Sequence, residues 1–191
     1  MEINDIKKLT DYKWLNLFEI DFMDNEGSNN KWLMASRRKD PGFTAGKDTP
    51  DAVVIIPWHV KECKLVLLRE FRVVLNDWQY AFPAGLVDEG ETVESTARRE
   101  LFEETGLELT EILAISPPLY SSAGLTDETI SLVTAYCKGT PVRLRERSEE
   151  AETLLVSRDE ARVLLQDKNA VFDVRAWMGL MSFAAAGLFA E

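Results

Sequence analysis

The segment from Thr92 to Gly106 constrains the fold of this chain more than any other part of the sequence. Residues 93–105 combine good helix formers with apolar residues at helical spacing. Thr92 is suited to accept hydrogen bonds from the first turn of a helix, and Gly106 to adopt the left-handed conformation that often ends one. The sequence therefore predicts a helix with both ends fixed, around which the other elements must pack.

One side of this predicted helix carries a dense cluster of charge. Glu100 and Glu104 are four residues apart and share one face, while Arg99 and Glu103 share an adjoining face. Like charges at this spacing destabilise an isolated helix by roughly 0.2–0.5 kcal/mol per pair. A hard divalent cation would remove that penalty, because Mg²⁺ binds carboxylates together with phosphate oxygens and water. Taken alone, such a cluster is more often a charged face in contact with solvent.

Residues on both sides of the cluster complete a longer pattern with fixed spacing. Nine defined positions fall within 23 residues, namely Gly85, Glu91, Arg99, Glu100, Leu101, Glu103, Glu104, Gly106 and Leu107. This pattern resembles the sequence box of the Nudix hydrolase family at every fixed position. The resemblance implies a loop, a helix and a loop on a mixed β-sheet. It also implies hydrolysis of a nucleoside diphosphate joined to another group, with divalent cations and an activated water.

The resemblance further implies roles for individual box residues. Arg99 should brace Glu91 or Glu103, and Gly85 should let the backbone turn tightly enough for the Ala84 carbonyl to face the metal. The implied cofactor is Mg²⁺, with Mn²⁺ as a possible substitute. The implied metal ligands are Ala84, Glu100, Glu103, Glu104 and Glu149. The implied catalytic residues are Arg99, Glu103, Glu104, Glu149 and Glu150, and the implied structural residues are Gly85, Glu91 and Gly106.

The segments flanking the box resemble one branch of the family, the ADP-ribose pyrophosphatases and nucleoside-diphosphate-sugar hydrolases. The run Phe82-Pro83-Ala84-Gly85 resembles the entry into the box in that branch. The run Arg69-Glu70-Phe71-Arg72 resembles its strand motif, with Glu70 in place of a glutamine. Residues 120–128 resemble a further loop of the branch, although Ala123 replaces the proline that marks the ADP-ribose enzymes. Ala81 is a second departure, because relatives often have glutamate there.

This branch also implies residues for substrate binding and for the general base. Arg72 would reach a phosphate of the substrate, and Trp32 could stack on a base. The full implied set of substrate-binding residues is Trp32, Arg38, Arg72, Gly124 and Glu128. The acidic segment 147–152 matches a loop that supplies a further metal ligand or the base. Glu149 is the first choice for that role, with Glu150 and Glu152 as alternatives.

The predicted reaction is metal-dependent hydrolysis of the diphosphate linkage in a nucleoside diphosphate sugar. ADP-ribose, which would give AMP and ribose 5-phosphate, is the first candidate substrate. The replacement at Ala123 keeps open a GDP-sugar, a dinucleotide or another nucleoside diphosphate derivative. A non-enzymatic ligand sensor with a Nudix fold is a third hypothesis, although all the box carboxylates are present and no basic helix-turn-helix segment is evident.

Mixed strand and helix signals predict an α/β (α+β) sandwich in which helices flank a mixed β-sheet. Residues 12–38 predict an antiparallel β-hairpin around a polar turn, and residues 172–189 predict a final helix. The chain is expected to divide into two parts. Residues 1–45 would form the hairpin extension, which serves dimerisation and the substrate pocket, and residues 46–191 would form the hydrolase domain.

Composition excludes several other classes of protein. The net charge of −11 argues against non-specific binding to nucleic acid or anionic membranes, and no apolar stretch is long enough to span a bilayer. Cys63 and Cys137 lie in or beside apolar runs and are expected to be small buried hydrophobes in a reducing, cytoplasmic setting. His59, the single histidine, is expected to be structural. The expected partners are a small nucleotide substrate and, by the branch resemblance, a second copy of the chain.

Overall fold

The computed structural model describes residues 1–42, 49–142 and 150–185, and the chain forms two compact units. The first unit comprises residues 1–51 and 117–130, and the second comprises residues 52–116 and 131–191. The first unit thus takes in the predicted N-terminal extension together with a later segment of the chain. The division into residues 1–45 and 46–191 stays a prediction.

The first unit is built on a three-stranded antiparallel sheet in the order β1-β2-β3. Its strands are β1 (Glu2–Lys8), β2 (Asn16–Met23) and β3 (Asn29–Ser36). The predicted hairpin is confirmed as β2 and β3, and the carboxylate of Asp24 accepts backbone hydrogen bonds from Glu26 and Ser28 in the turn. Strand β1 was not predicted, because six of its seven residues are exposed and show no buried face.

The second unit contains the main sheet and all three described helices. Its strands are β4 (Ala52–His59), β5 (Lys64–Arg72), β6 (Asp77–Ala81), β7 (Ala84–Leu86), β8 (Glu108–Ile115), β10 (Thr129–Lys138) and β11 (Ala151–Val156). The central order is β11-β5-β4-β10-β8, with β6 beside β5 and β7 beside β4. The first two residues of β10 belong to the first unit, where they pair with the short strand β9 (Leu119–Tyr120).

The main sheet is mixed, as predicted. Several neighbouring strands pair antiparallel, for example β5 with β11 and β4 with β7. Strands β4 and β10 instead run in the same direction, because Asp51 N donates to Thr129 O at one end and Val60 N to Cys137 O at the other. The helices α1 (Val93–Thr105), α2 (Arg158–Leu164) and α3 (Val174–Ala184) accompany this sheet, which confirms the predicted α/β (α+β) class.

Helix α1 has the bounds and the caps that the sequence predicts. Thr92 Oγ1 accepts a hydrogen bond from Ser95 N, and Ser95 Oγ accepts one from Thr92 N, so the first turn is closed reciprocally. Gly106 has a φ of 71°, and its N–H donates to the Phe102 carbonyl. Leu101 is fully buried in the core, so α1 is anchored along one side while its charged side stays open.

The expectations for the single histidine and the two cysteines can be compared with the structure. His59 is structural, as expected, because it is buried and its ring nitrogens bond to the Gly139 carbonyl and the Glu62 N–H. Cys137 is buried, and burial raises the pKa of its thiol to about 12. The prediction for Cys63 was wrong, because it lies exposed in the turn between β4 and β5 with a φ of 52°.

The last helix begins at Val174, two residues later than predicted. Asp173 caps it, with its carboxylate accepting a hydrogen bond from Arg175 N, and the helix ends at Ala184. The predicted continuation to residue 189 lies outside the described residues. Among the helices that the structure describes, none is both long and apolar enough to cross a membrane.

Candidate active site

A cavity of about 600 Å³ in the second unit brings many of the predicted site residues together. It lies where the charged side of α1 faces β7, the end of β5 and the start of β11. The box residues that line it are Ala84, Gly85, Arg99, Glu100, Glu103 and Glu104. Arg72 and Glu150, which the sequence placed outside the box, line it as well.

Gly85 lets the carboxylate of Glu100 lie directly against the backbone of β7. A Cβ atom built at Gly85 would stand 1.9 Å from the Glu100 carboxyl carbon. Any side chain at position 85 would therefore displace the Glu100 carboxylate from its place against β7. The box glycine therefore acts here by leaving room for a side chain, since its φ is not in the left-handed region.

Arg99 is the centre of the charge network on α1. Its Nε and Nη2 donate to the two carboxylate oxygens of Glu91 at 2.9 and 2.8 Å, a bidentate pair. Its Nη1 donates to Glu100 at 2.6 Å and to Glu103 at 3.1 Å. Nη2 also donates to the Leu86 carbonyl at 3.1 Å. One guanidinium thus fixes three box carboxylates and ties α1 to the loop before it.

Two of the carboxylates that Arg99 contacts have pKa values shifted in opposite directions. Hydrogen bonds from Arg99, and then from Thr96, lower the pKa of Glu91 to about 2. The same pairing raises the pKa of the Arg99 guanidinium, so it stays charged. Burial raises the pKa of Glu100, although its bond to Arg99 acts in the other direction. Burial therefore opposes the negative charge of Glu100, and a cation bound beside it would favour that charge.

Glu104 also connects the helix to β7. The Ala84 N–H donates to its carboxylate at 3.0 Å. This bond holds the Glu104 side chain beside Gly85 and Glu100, its neighbour one turn back on the same helix face. The predicted metal ligands Ala84, Glu100 and Glu104 thus lie in one place.

The donor set suits a hard divalent cation. Carboxylates and a backbone carbonyl are the oxygen ligands that Mg²⁺ and Mn²⁺ prefer, and Gly85 clears the space in which Glu100 lies. Within the part of the chain that the structure describes, however, no three such side chains are drawn together closely enough to enclose an ion. Arg99 and the Ala84 N–H hold Glu100 and Glu104 instead, at 2.6 and 3.0 Å.

The acidic segment before β11 is described only in part. Glu149, the first choice for the base, lies outside the described residues. Glu150 lines the cavity, and its carbonyl accepts a hydrogen bond from Phe71 N at 2.9 Å. Glu152 lies on β11 opposite Arg69 of β5. Of the two described candidates, Glu150 is the one that lines the cavity.

Arg72 lines the cavity at the end of β5, and its contacts there were not predicted from the sequence. Its Nη2 donates to Glu70 at 2.6 Å, and Glu70 also accepts from Gln79. Val73 and Val74 follow in the same turn, are strongly exposed and line the cavity too. The alternation of Glu70 and Arg72 along one strand was the available signal, but Gln79 is recognisable only once the strand register is known.

The predicted residues of the first unit form a separate set of contacts. Arg38 makes a bidentate pair with Asp51 at 2.5 and 2.7 Å and donates to Asp127 at 3.2 Å. Its side chain is mostly buried, so its evident contacts are structural. Asp51 in turn accepts from the Thr129 N–H, an organising role that the sequence analysis missed.

Trp32, Gly124 and Glu128 also lie within the first unit. Trp32 Nε1 donates to the Gly124 carbonyl at 3.2 Å, and its ring lines a cavity of about 180 Å³ beside Ala123. Glu128 accepts hydrogen bonds from the Ser121 hydroxyl at 3.1 Å and from Arg37 at 3.4 Å. Their roles in substrate binding stay predictions.

Comparison with known proteins agrees with this geometry. A family model described as the NUDIX domain matches residues 48–186. An ADP-ribose pyrophosphatase of Saccharomyces cerevisiae is 31% identical over 70% of this chain and 57% of its own length. An ADP-sugar pyrophosphatase of Mus musculus is 31% identical over 69% of this chain and 59% of its own length. This chain therefore spans less than two thirds of these relatives.

A solved structure shares the fold. The crystal structure of an ADP compounds hydrolase superposes with a TM-score of 0.72 and covers 94% of this chain and 89% of its own. Its sequence is 20% identical, so the likeness establishes the fold alone.

Proposed function

The chain belongs to the NUDIX domain family, and we propose that it hydrolyses the diphosphate linkage of a nucleoside diphosphate sugar. ADP-ribose is the proposed first substrate, and water would convert it into AMP and ribose 5-phosphate. One observation carries the proposal. Glu100, Glu103 and Glu104 line a single cavity with Arg72, at the point where Gly85 admits Glu100 against the backbone. The yeast and mouse relatives, by their names, act on ADP-ribose and ADP-sugars.

Members of this family generally need a divalent cation, and the residues present fit one. We propose Mg²⁺, with Mn²⁺ as a substitute, held by Glu100, Glu103 and Glu104 and by the Ala84 carbonyl. When bound, such a cation neutralises the diphosphate and lowers the pKa of a water molecule.

The protein side chains have distinct parts in the proposed reaction. Arg99 keeps the box carboxylates oriented through its bonds to Glu91, Glu100 and Glu103. Arg72 binds a phosphate oxygen of the substrate. Glu149 or Glu150 accepts a proton from the attacking water, whose oxygen forms a bond to one phosphorus. The bond from that phosphorus to the bridging oxygen breaks, and the leaving phosphate keeps the electron pair. Each product then carries a terminal phosphate group.

A second group of substrates follows from the sequence at Ala123. This residue replaces the proline of the ADP-ribose enzymes and lines the cavity beside Trp32. Because alanine is smaller than proline, the shape of this cavity should differ from that in the ADP-ribose enzymes. A GDP-sugar and a dinucleotide should therefore be tested beside ADP-ribose.

A substrate panel tests the proposal. The purified chain is incubated with ADP-ribose, ADP-glucose, GDP-mannose and a dinucleoside diphosphate, each with Mg²⁺ and then with Mn²⁺, and the products are separated by chromatography. We expect metal-dependent release of a nucleoside monophosphate, with ADP-ribose turned over fastest. Binding of these compounds without turnover under any metal condition would instead support the ligand sensor.

We also propose that the chain acts as a cytoplasmic homodimer. Exposed apolar residues on the N-terminal sheet support dimerisation, and both cysteines, Cys63 and Cys137, are free thiols in the structure. Fractionation of cells that express a tagged chain would locate it, and recovery with a membrane or secreted fraction would contradict the proposed compartment.

A further inference from the structure

Strands β5 and β6 align three polar side chains at the edge of the 600 Å³ cavity. Glu70 and Arg72 are two residues apart on β5, so their side chains share one face of the sheet. Gln79 lies directly opposite Glu70 in the antiparallel pairing of β5 with β6. Glu70 and Arg72 both line the cavity that holds the box carboxylates.

A single carboxylate oxygen joins these three residues. Oε1 of Glu70 accepts one hydrogen bond from Arg72 Nη2 at 2.6 Å and another from Gln79 Nε2 at 2.8 Å. Exposure increases along the series, from 8% for Gln79 to 18% for the Glu70 side chain and 53% for that of Arg72. The buried amide therefore fixes the partly buried carboxylate, and the carboxylate fixes the exposed guanidinium.

The cavity is lined by more acidic than basic side chains, so the orientation of each arginine matters for binding an anion. Among its described lining residues are six carboxylates and two guanidinium groups. Arg99 already binds Glu91, Glu100 and Glu103, whereas the hydrogen bond of Arg72 to Glu70 uses Nη2. A guanidinium has five N–H donors in a rigid plane, so fixing one edge directs the remaining donors. An oxyanion entering the cavity then meets an arginine that needs no further ordering.

We propose that Glu70, held by Gln79, is a positioning residue that orients Arg72 for a phosphate group of the substrate. This inference rests on the proposed function, which assigns Arg72 to a substrate phosphate. The essential property is acceptance of two hydrogen bonds at one oxygen. A glutamine amide at position 70 retains that property, whereas alanine removes it.

A double-mutant cycle tests the proposal with Glu70→Ala, Arg72→Ala and the double variant. We measure KM and kcat for ADP-ribose with Mg²⁺, and the dissociation constant of ADP with Mg²⁺ by titration calorimetry. Glu70→Ala should raise KM and the ADP dissociation constant about fivefold with kcat nearly unchanged, because it weakens binding and not the chemical step. In the Arg72→Ala background it should change neither constant. Glu70→Gln should restore both to within about twofold of the unaltered chain.

Controls separate positioning from general damage to the fold. Glu62→Ala, in the turn before β5 and outside the cavity, should leave both constants unchanged. Thermal unfolding midpoints report whether each variant is folded. An equal effect of Glu70→Ala in both backgrounds would overturn the inference, as would a Glu70→Gln variant as weak as Glu70→Ala. ADP binding that Arg72→Ala leaves unchanged would overturn it too.

The two measurements also separate this inference from the proposed function. If the chain binds ADP but turns over no nucleoside diphosphate sugar, the proposed function fails while the ADP cycle still decides the role of Glu70. If ADP-ribose is hydrolysed and the cycle shows no coupling, only the positioning role fails.

Discussion

At the scale of single residues, the site depends on carboxylates that are held by different partners. Glu100 lies against Gly85 and bonds to Arg99, while Glu104 accepts the Ala84 N–H. The two side chains are therefore oriented by different contacts, although both lie on one face of the helix. Their contributions can be tested separately, because Arg99 holds one carboxylate and the Ala84 N–H holds the other.

Glu100→Gln and Glu104→Gln should each lower kcat by at least about 100-fold, because loss of a metal ligand should cost no less than loss of an outer partner. The amide keeps the size of the side chain, so the thermal midpoint should change little. Steady-state kinetics with Mg²⁺ measure the effect, and Glu94→Gln, an exposed glutamate of the first turn paired with Arg98, is the control. Unchanged turnover in either variant would remove that residue from the ligand set.

Glu91 predicts a specific dependence of stability on acidity. Its pKa in the folded chain is about 2, below its ordinary value of 4.5, because Arg99 and Thr96 stabilise the charged form. A lowered pKa contributes stability that is complete above pH 4.5 and is lost as the pH falls towards 2. Glu91→Gln should therefore be less stable than the unaltered chain near neutral pH, and the difference should shrink across that acidic interval.

Urea unfolding at a series of pH values measures this difference. Glu89→Gln, an exposed neighbour in the same loop, should unfold in parallel with the unaltered chain. A stability difference for Glu91→Gln that stays constant from neutral pH to pH 2 would show that the ion pair with Arg99 does not carry the effect.

At the scale of elements, the sequence predicted best where local signals decide the structure. Helix α1 was predicted with its caps because Thr92 and Gly106 act on neighbouring residues. Strand β8 was not predicted, because six of its eight residues are exposed and a seventh is half-buried, so the strand shows no clear buried face. The error at Cys63 has a related cause, since proximity to an apolar run does not reveal that the residue turns away from it.

The same distinction applies to the candidate site. The proximity of Glu100 and Glu104 could be predicted because helical periodicity brings them to one face, and the resemblance to the box implied their role. The role of Gln79 could not be predicted. Gln79 and Glu70 are nine residues apart in sequence, and their contact depends on the pairing of β5 with β6. The position of Arg38 between Asp51 and Asp127 likewise depends on a fold that no local pattern encodes.

The first turn of α1 offers a test at this scale. Thr92→Ala removes the side-chain half of the reciprocal cap with Ser95 and should lower the free energy of unfolding by about 1 kcal/mol. Denaturant unfolding measures the loss, and Thr49→Ala, at an exposed position outside any helix, is the control. Equal stability of the two variants would mean that tertiary packing of Leu101 and its neighbours, and not the cap, fixes the start of the helix.

At the scale of the whole molecule, the N-terminal sheet presents two different faces. Phe18 and Ile20 are buried on one face of β2, whereas Leu17 alternates to the other and is 43% exposed. Leu33 of β3 pairs with Glu19, so it shares the face of Leu17, and it is 55% exposed. Exposed apolar groups on one face of a sheet are typical of an interaction surface, which supports the proposed dimer.

The unaltered chain should therefore sediment with about twice its mass of 21.7 kDa. Substituting Leu17 and Leu33 together by glutamate should shift it to the monomer mass, because burying two charges at the interface costs more than the interface gains. Leu113→Glu, on the exposed side of β8, is the matched control and should leave the mass unchanged. A mass near one protomer for the unaltered chain at micromolar concentration would contradict the dimer. A dimer that persists in the double variant would place the interface elsewhere on the molecule.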